Sequence, residues 1–155
     1  MTDRRLKDEG GTISGVAMVA GVPNANGLIY SPEVAKKLAE EMKGKFVLAD
    51  MKDGRFVAPD FGRAPLRLVA GEVTDATFDS ETGRVTVQAK LIDTPPGQLV
   101  KHVLERQRDQ QIDGLAPTQP LAIAMTAMGT LDGDMVLEAV SPVLHIAEAE
   151  DVEPK

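Results

Sequence analysis

With 155 residues, of which 43% are hydrophobic and 26% charged, the chain has ordinary globular usage and enough apolar content for one sizeable core. Aromatics make up only 3%, with no Trp, so the core is expected from Val, Leu, Ile, Met and Ala, and an aromatic base-stacking platform is excluded. A formal charge of -7 repels phosphate backbones, and the lack of Cys removes disulfides, thiolate nucleophiles and Cys-based zinc sites. Neither nucleic acid nor a cofactor or metal is therefore expected as a partner. No apolar run approaches the roughly 20 residues of a spanning helix, and residues 1–10 are charged rather than signal-like, so no membrane partner and no secretion are expected either.

Residues 1–11 read as an N-terminal extension, 12–147 as a single β-rich domain and 148–155 as a loose acidic tail. The small and apolar run at 12–19 predicts a strand, stopped by Gly21, Pro23 and Asn26-Gly27. Ser31 then stands as a helix N-cap before Pro32, whose missing N–H has no partner at a first helical position anyway. Val34, Ala35, Leu38, Ala39 and Met42 recur at three and four residues and Gly44 supplies a left-handed stop, so a helix is predicted between them.

Residues 46–49 read as a short buried strand feeding an irregular loop at 51–65, a candidate functional surface. The alternating runs 70–78 and 84–92 predict a β-hairpin, with Val85, Val87, Ala89 and Leu91 on one face and Thr86, Gln88 and Lys90 on the other. Thr94-Pro95 starts a second amphipathic helix that fades near Gln107, and 108–120 reads as an extended arm. A buried central strand is predicted at 121–128, with a turn at Asp132-Gly133 and two closing strands at 135–140 and 143–146. The architecture implied is α+β and mostly β, a small antiparallel β-barrel-like domain packed by two helices.

Chemistry is hard to find in this pattern. A serine hydrolase needs a hydroxyl near a base, yet the only histidines are His102, on the polar side of the second helix, and His145, in an alternating terminal strand. The carboxylates Asp132 and Asp134 flank Gly133 as ordinary turn chemistry, and no Gly-rich phosphate loop follows a strand. Met125, Met128 and Met135 sit at strand spacing, where core filling is expected over a sticky partner surface.

Four motifs in order nevertheless carry a resemblance. Asn24-Ala25-Asn26-Gly27-Leu28-Ile29-Tyr30-Ser31-Pro32-Glu33-Val34 is similar to the Asn-x-Asn-Gly-Arg-x-Tyr-Pro lead-in to the first helix of tailed-phage prohead core proteases, the capsid-maturation serine proteases that share the herpesvirus assemblin fold. Ile92-Asp93-Thr94-Pro95-Pro96-Gly97-Gln98-Leu99-Val100 resembles their Ile-Leu-Asp-Thr-Pro-x-Gly helix start. Residues 69–79 resemble their Val-x-Asp-x-x-x-Asp hairpin, and 121–129 occupy the place of their Gly-Ile-Ser-x-Arg-Gly-x-Gly strand. The likeness spans about residues 12–145.

The same resemblance places a catalytic His near Met51, where this chain reads Asp50-Met51-Lys52-Asp53, and the nucleophilic Ser at Ala124; the accompanying Arg falls near Thr126. All three are lost, and the 108–120 connection is longer than the family's. The resemblance therefore implies a pseudoprotease, not an enzyme, kept for capsid assembly: a decoration or cement protein on the virion's capsid surface, assembled in the host cytoplasm. Its partners would be the major capsid protein and copies of itself, so a homo-oligomer is expected. The contacts expected are Lys52, Arg55, Phe56, Phe61 and Arg63 in the first loop and Arg108, Gln110, Gln111, Ile112, Leu115 and Gln119 in the arm. Two alternatives stay open. One is an active prohead protease with displaced residues, using His102 or His145 with Ser14, Thr126, Thr130 or Ser141; the other is an internal scaffold or assembly protein.

Overall fold

The computed structural model describes residues 4–59, 66–112 and 120–152. Among the described residues ten strands and three α-helices follow one another: β1 (Lys7–Glu9), β2 (Thr12–Val19), β3 (Ile29–Tyr30), α1 (Pro32–Met42), β4 (Phe46–Leu48), β5 (Asp50–Lys52), β6 (Arg55–Val57), β7 (Val69–Phe78), β8 (Arg84–Leu91), α2 (Pro95–Ile112), β9 (Leu121–Asp132), β10 (Met135–Glu148) and α3 (Ala149–Val152). Eight strands form one sheet in the order β1-β2-β8-β7-β4-β10-β3, with β9 added to β10, while β5 and β6 make a separate hairpin. The fold is α+β and mostly strand.

The sheet is mixed rather than wholly antiparallel, because β10 runs parallel to both β3 and β4 while pairing antiparallel with β9. α1 connects β3, which pairs with the start of β10, to β4, which pairs with its end. Ser31 caps it, its Oγ accepting from the Val34 N–H at 3.2 Å, and Ala35, Leu38, Ala39 and Met42 are buried against the sheet. Lys43, in extended conformation, ends the helix, and Gly44 follows at φ 84°. The hairpin β7–β8 alternates as its sequence predicts, with Val85, Val87 and Ala89 fully buried and Thr86, Gln88 and Lys90 outside.

Four expectations need correction. The arm expected at 108–120 begins as helix, since α2 continues to Ile112; residues 113–119 lie outside the described residues. The irregular loop expected from residue 51 is the hairpin β5–β6, turned by Asp53 and Gly54, both at positive φ as a tight two-residue hairpin turn requires. The two closing strands are one, β10, with its register against β9 shifted between Val140 and Val143, where Ser141 adopts φ 56° before Pro142. Finally, the acidic tail starts folded: Glu148 ends β10, and Ala149 and Val152 of α3 are buried.

Candidate functional site

The sheet curls until β9 approaches β2, but no ladder joins the two strands among the described residues. Residues just upstream of β1 bridge the seam instead. Leu6 donates its backbone N–H to the Leu121 carbonyl at 2.8 Å. Arg4 spreads its guanidinium across both edges, donating to the carbonyls of Val16 (3.0 Å) and Ala17 (2.7 Å) on β2 and of Ile123 (3.1 Å) on β9; a fourth bond reaches the Val152 carbonyl of α3 at 3.1 Å. A rigid fork of donors suits a place where several carbonyls converge without N–H groups opposite them.

Beyond Arg4 the seam opens into a cavity of about 540 Å³. One wall is Ala17, Met18 and Val19 of β2, and the facing wall is Ala124, Met125 and Thr126 of β9 with His145 and Ala147 of β10. The 22–26 loop, Tyr30 of β3, residues 56–58 after the β5–β6 turn, and Asp151 and Val152 of α3 complete the lining. Ala124 and His145 are directly paired across the β9–β10 ladder, so their side chains stand on the same face. The position to which the resemblance assigns a nucleophilic serine is therefore a methyl group beside the chain's one buried histidine. His145 is 5% exposed, and burial lowers its pKa to about 4. Such an imidazole is neutral at pH 7 but a weak proton acceptor, far from the near-neutral pKa that suits a general base.

Thr126, the fallback nucleophile, is exposed at the cavity rim, while His102 is exposed on α2 and does not line the cavity. Met51, the position matched to the family's histidine, is exposed on β5. Neither Ser14, Thr130 nor Ser141 lines the cavity. Among the described residues no group of His, Asp and Glu is arranged to hold a metal ion, and no helix is long and apolar enough to cross a membrane.

The β5–β6 hairpin is pinned to the end of β10 and to α3. Arg55 Nη2 lies 2.5 Å from Glu150 Oε1 and 3.3 Å from Asp151 Oδ2. Phe56 donates its N–H to Glu148 Oε1 at 3.3 Å, whereas Oε2 of this buried carboxylate finds no partner among the described residues. Burial raises the Glu148 pKa, opposed by the Phe56 N–H and the Arg55 charge.

The expected contact residues divide accordingly. Lys52 is exposed; Arg55 is half-exposed and already ion-paired; Phe56 is 2% exposed, so it belongs to the core rather than to a partner surface. Arg108 lies on α2, exposed and 3.5 Å from Asp8 of β1. Gln110, Gln111 and Ile112 fall in the last turn of α2, and Phe61, Arg63, Leu115 and Gln119 lie outside the described residues.

A stickier surface lies elsewhere. On the distal half of the β9–β10 hairpin, Met128 is 74% exposed, with Leu131, Met135, Leu137 and Val140 all between 41% and 54%. Met128 and Val140 face each other across the ladder. Reading Met128 and Met135 as core filler is thus corrected; only Met125 packs partly against the core. The signal available in the sequence was the density of apolar residues on both sides of a turn. The tip stays attached to the body, with β3 paired to Met135 and Val136 and with Val136 and Ala139 buried, so the exposed residues are those the core leaves uncovered.

No protein-family model, curated protein or solved structure matches this chain.

Proposed function

We propose that this chain is a non-catalytic structural protein of a bacteriophage head: a decoration or cement protein built on a barrel-like, prohead-protease-like fold that has lost its chemistry. The observation that carries the reading is the β9–β10 hairpin, whose Met128, Leu131, Met135, Leu137 and Val140 are held out in water. Met128, Met135 and Val140 share one face of that hairpin, and apolar residues grouped on a water-facing side mark a protein-binding surface rather than ordinary surface scatter. The major capsid protein is the partner proposed, with copies of this chain as neighbours on the outer shell of the virion. Ala124 beside a weakly basic His145 supports the absence of catalysis.

Purified chain mixed with shells of the major capsid protein should co-sediment with them and saturate at a fixed ratio; failure to bind would sink the shell reading. A second reading, an active protease with displaced residues, draws on Thr126 and His145 sharing one cavity. A fluorophosphonate probe separates the two, since covalent labelling requires a competent hydroxyl and the structural reading expects none.

A further inference from the structure

We propose that two copies of this chain join through the open outer edge of β9 at residues 127–131, pairing antiparallel about a two-fold axis at Gly129. Three observations carry this. The first is which backbone groups that edge offers. Leu121 and Ile123 turn their carbonyls away from β10, as the bonds from Leu6 and Arg4 require. Both register shifts of the β9–β10 ladder put the extra residue on β10, so β9 itself alternates without a break along its whole length. Ala127, Gly129 and Leu131 therefore point their N–H and C=O groups away from β10, and the Glu138 carbonyl aimed at β9 beside Gly129 agrees with that phase. No backbone group among the described residues pairs with them there.

The second observation is how differently the edges of the sheet are shielded. Native sheets protect an edge by keeping it short, charging it, bulging it or placing proline on it. At one end of the sheet β1 is three residues long and reads Lys7-Asp8-Glu9, and at the other β3 is two residues long. From Thr126 to Leu131 the β9 edge reads Thr-Ala-Met-Gly-Thr-Leu, with neither charge, proline nor bulge, and residues 128–131 are exposed. An edge this bare is a template for a further strand.

The third is that this edge complements itself. A partner of other sequence has to bring an open edge of its own, whereas every copy of this chain carries one. With Gly129 facing Gly129, Ala127 of each copy meets Leu131 of the other, and the outward groups exchange about six N–H···O=C bonds. The charge of -7 makes copies repel, but this register keeps the nearest carboxylates apart. Asp132 faces Thr126 of the second copy and lies about 20 Å from its counterpart, while Glu138, one strand further back, lies at least about 14 Å from its own. Both separations exceed the Debye length at physiological salt. Such a two-fold pair closes on itself and leaves no bare strand for a third copy.

The test is sedimentation velocity of the chain from micromolar to near-millimolar concentration, with amide hydrogen exchange of the isotope-labelled chain at both ends of that range. A reversible dimer is expected. In it the amides of Ala127, Gly129 and Leu131 should exchange more slowly, while those of Met128 and Thr130, which face β10, should not change. Leu131→Pro removes an outward N–H at an edge position that proline fits. It should weaken dimerisation about tenfold or more, since each copy loses one hydrogen bond and one such bond is worth about that factor. Leu131→Ala keeps the N–H and should still dimerise. A monomer throughout, assembly beyond the dimer, protection without that alternation, or undiminished pairing by Leu131→Pro would overturn the proposal. The inference does not rest on the shell reading: a monomer that co-sediments with shells would overturn the pairing alone, and a dimer that ignores shells would overturn only the shell reading.

Discussion

His145 ties one side chain to the stability of the whole fold. Its pKa is about 4 in the folded chain, lowered by burial, against an ordinary value near 6.5. Between these values the unfolded chain binds the proton and the folded chain does not, so stability rises with pH across that window and is lost as pH falls through it. The loss amounts to at most roughly 3 kcal/mol. Glu148 acts in the opposite sense: its raised pKa favours the folded state while the carboxyl is protonated, a contribution lost as pH rises above the ordinary carboxylate range. Comparing urea denaturation of the native chain with that of His145→Gln isolates the first effect. The variant's stability should change less between pH 7 and pH 4.5, and an unchanged slope would contradict the burial of a neutral imidazole. Gly129 is equally constrained, because a Cβ there would fall against the Glu138 carbonyl oxygen of the paired strand. Gly129→Ala should therefore distort the hairpin that carries the apolar surface and reduce shell binding, measured by co-sedimentation, more than it reduces melting temperature.

Elements differ in how openly their residues announce them. α1 was legible because cap, proline and helical spacing coincide at Ser31, Pro32 and Ala35 to Met42, and all of these signals are local. Ser31→Ala should cost about 1 kcal/mol in chemical denaturation, the usual worth of such a cap. The β7–β8 hairpin was legible for the same reason, since strict alternation survives over eight residues of β8. The β5–β6 hairpin was not. Its strands are three residues each, too short for alternation to register, and its hold on the fold comes from Arg55 pairing with carboxylates 95 and 96 residues away. The turn of the β9–β10 hairpin is legible in the sequence but its exposed surface is not, because apolar density reads as burial and only the packing shows Val136 and Ala139 covered while Met128 and Val140 face water. Met128→Lys combined with Leu137→Lys should shift stability by no more than about 0.5 kcal/mol, as exposed substitutions do. The same pair should abolish co-sedimentation with capsid shells; retained binding would place the contact elsewhere.

At the scale of the molecule, the seam between β2 and β9 is bridged by Arg4, which lies in the charged N-terminal extension. Arg4 joins β2, β9 and the C-terminal helix through carbonyls 12, 13, 119 and 148 residues away, so nothing near it in the chain announces its role. Arg4→Met keeps much of the apolar stem but removes those charged donors, and it should destabilise by about 3 kcal/mol in urea denaturation, in line with leaving buried carbonyls without partners. The candidate site was legible only in part for the same reason. Ala124 and His145 each stand out along the chain, but their pairing across the ladder, the seam bridged by Arg4 and the cavity beyond it arise from contacts between residues far apart in sequence. On the proposed reading these scales meet in a chain whose Ala124 stands at the position matched to a nucleophile and whose β9–β10 hairpin exposes Met128, Leu131, Met135, Leu137 and Val140, as a shell-binding protein would require. Intact mass and copy number of this chain in purified mature virions, set against the major capsid protein by quantitative mass spectrometry, test that most directly. Uncleaved copies in a fixed ratio to the capsid protein are expected; absence from mature particles, or recovery only as fragments, would contradict a cement protein and point to a component that leaves the head during maturation.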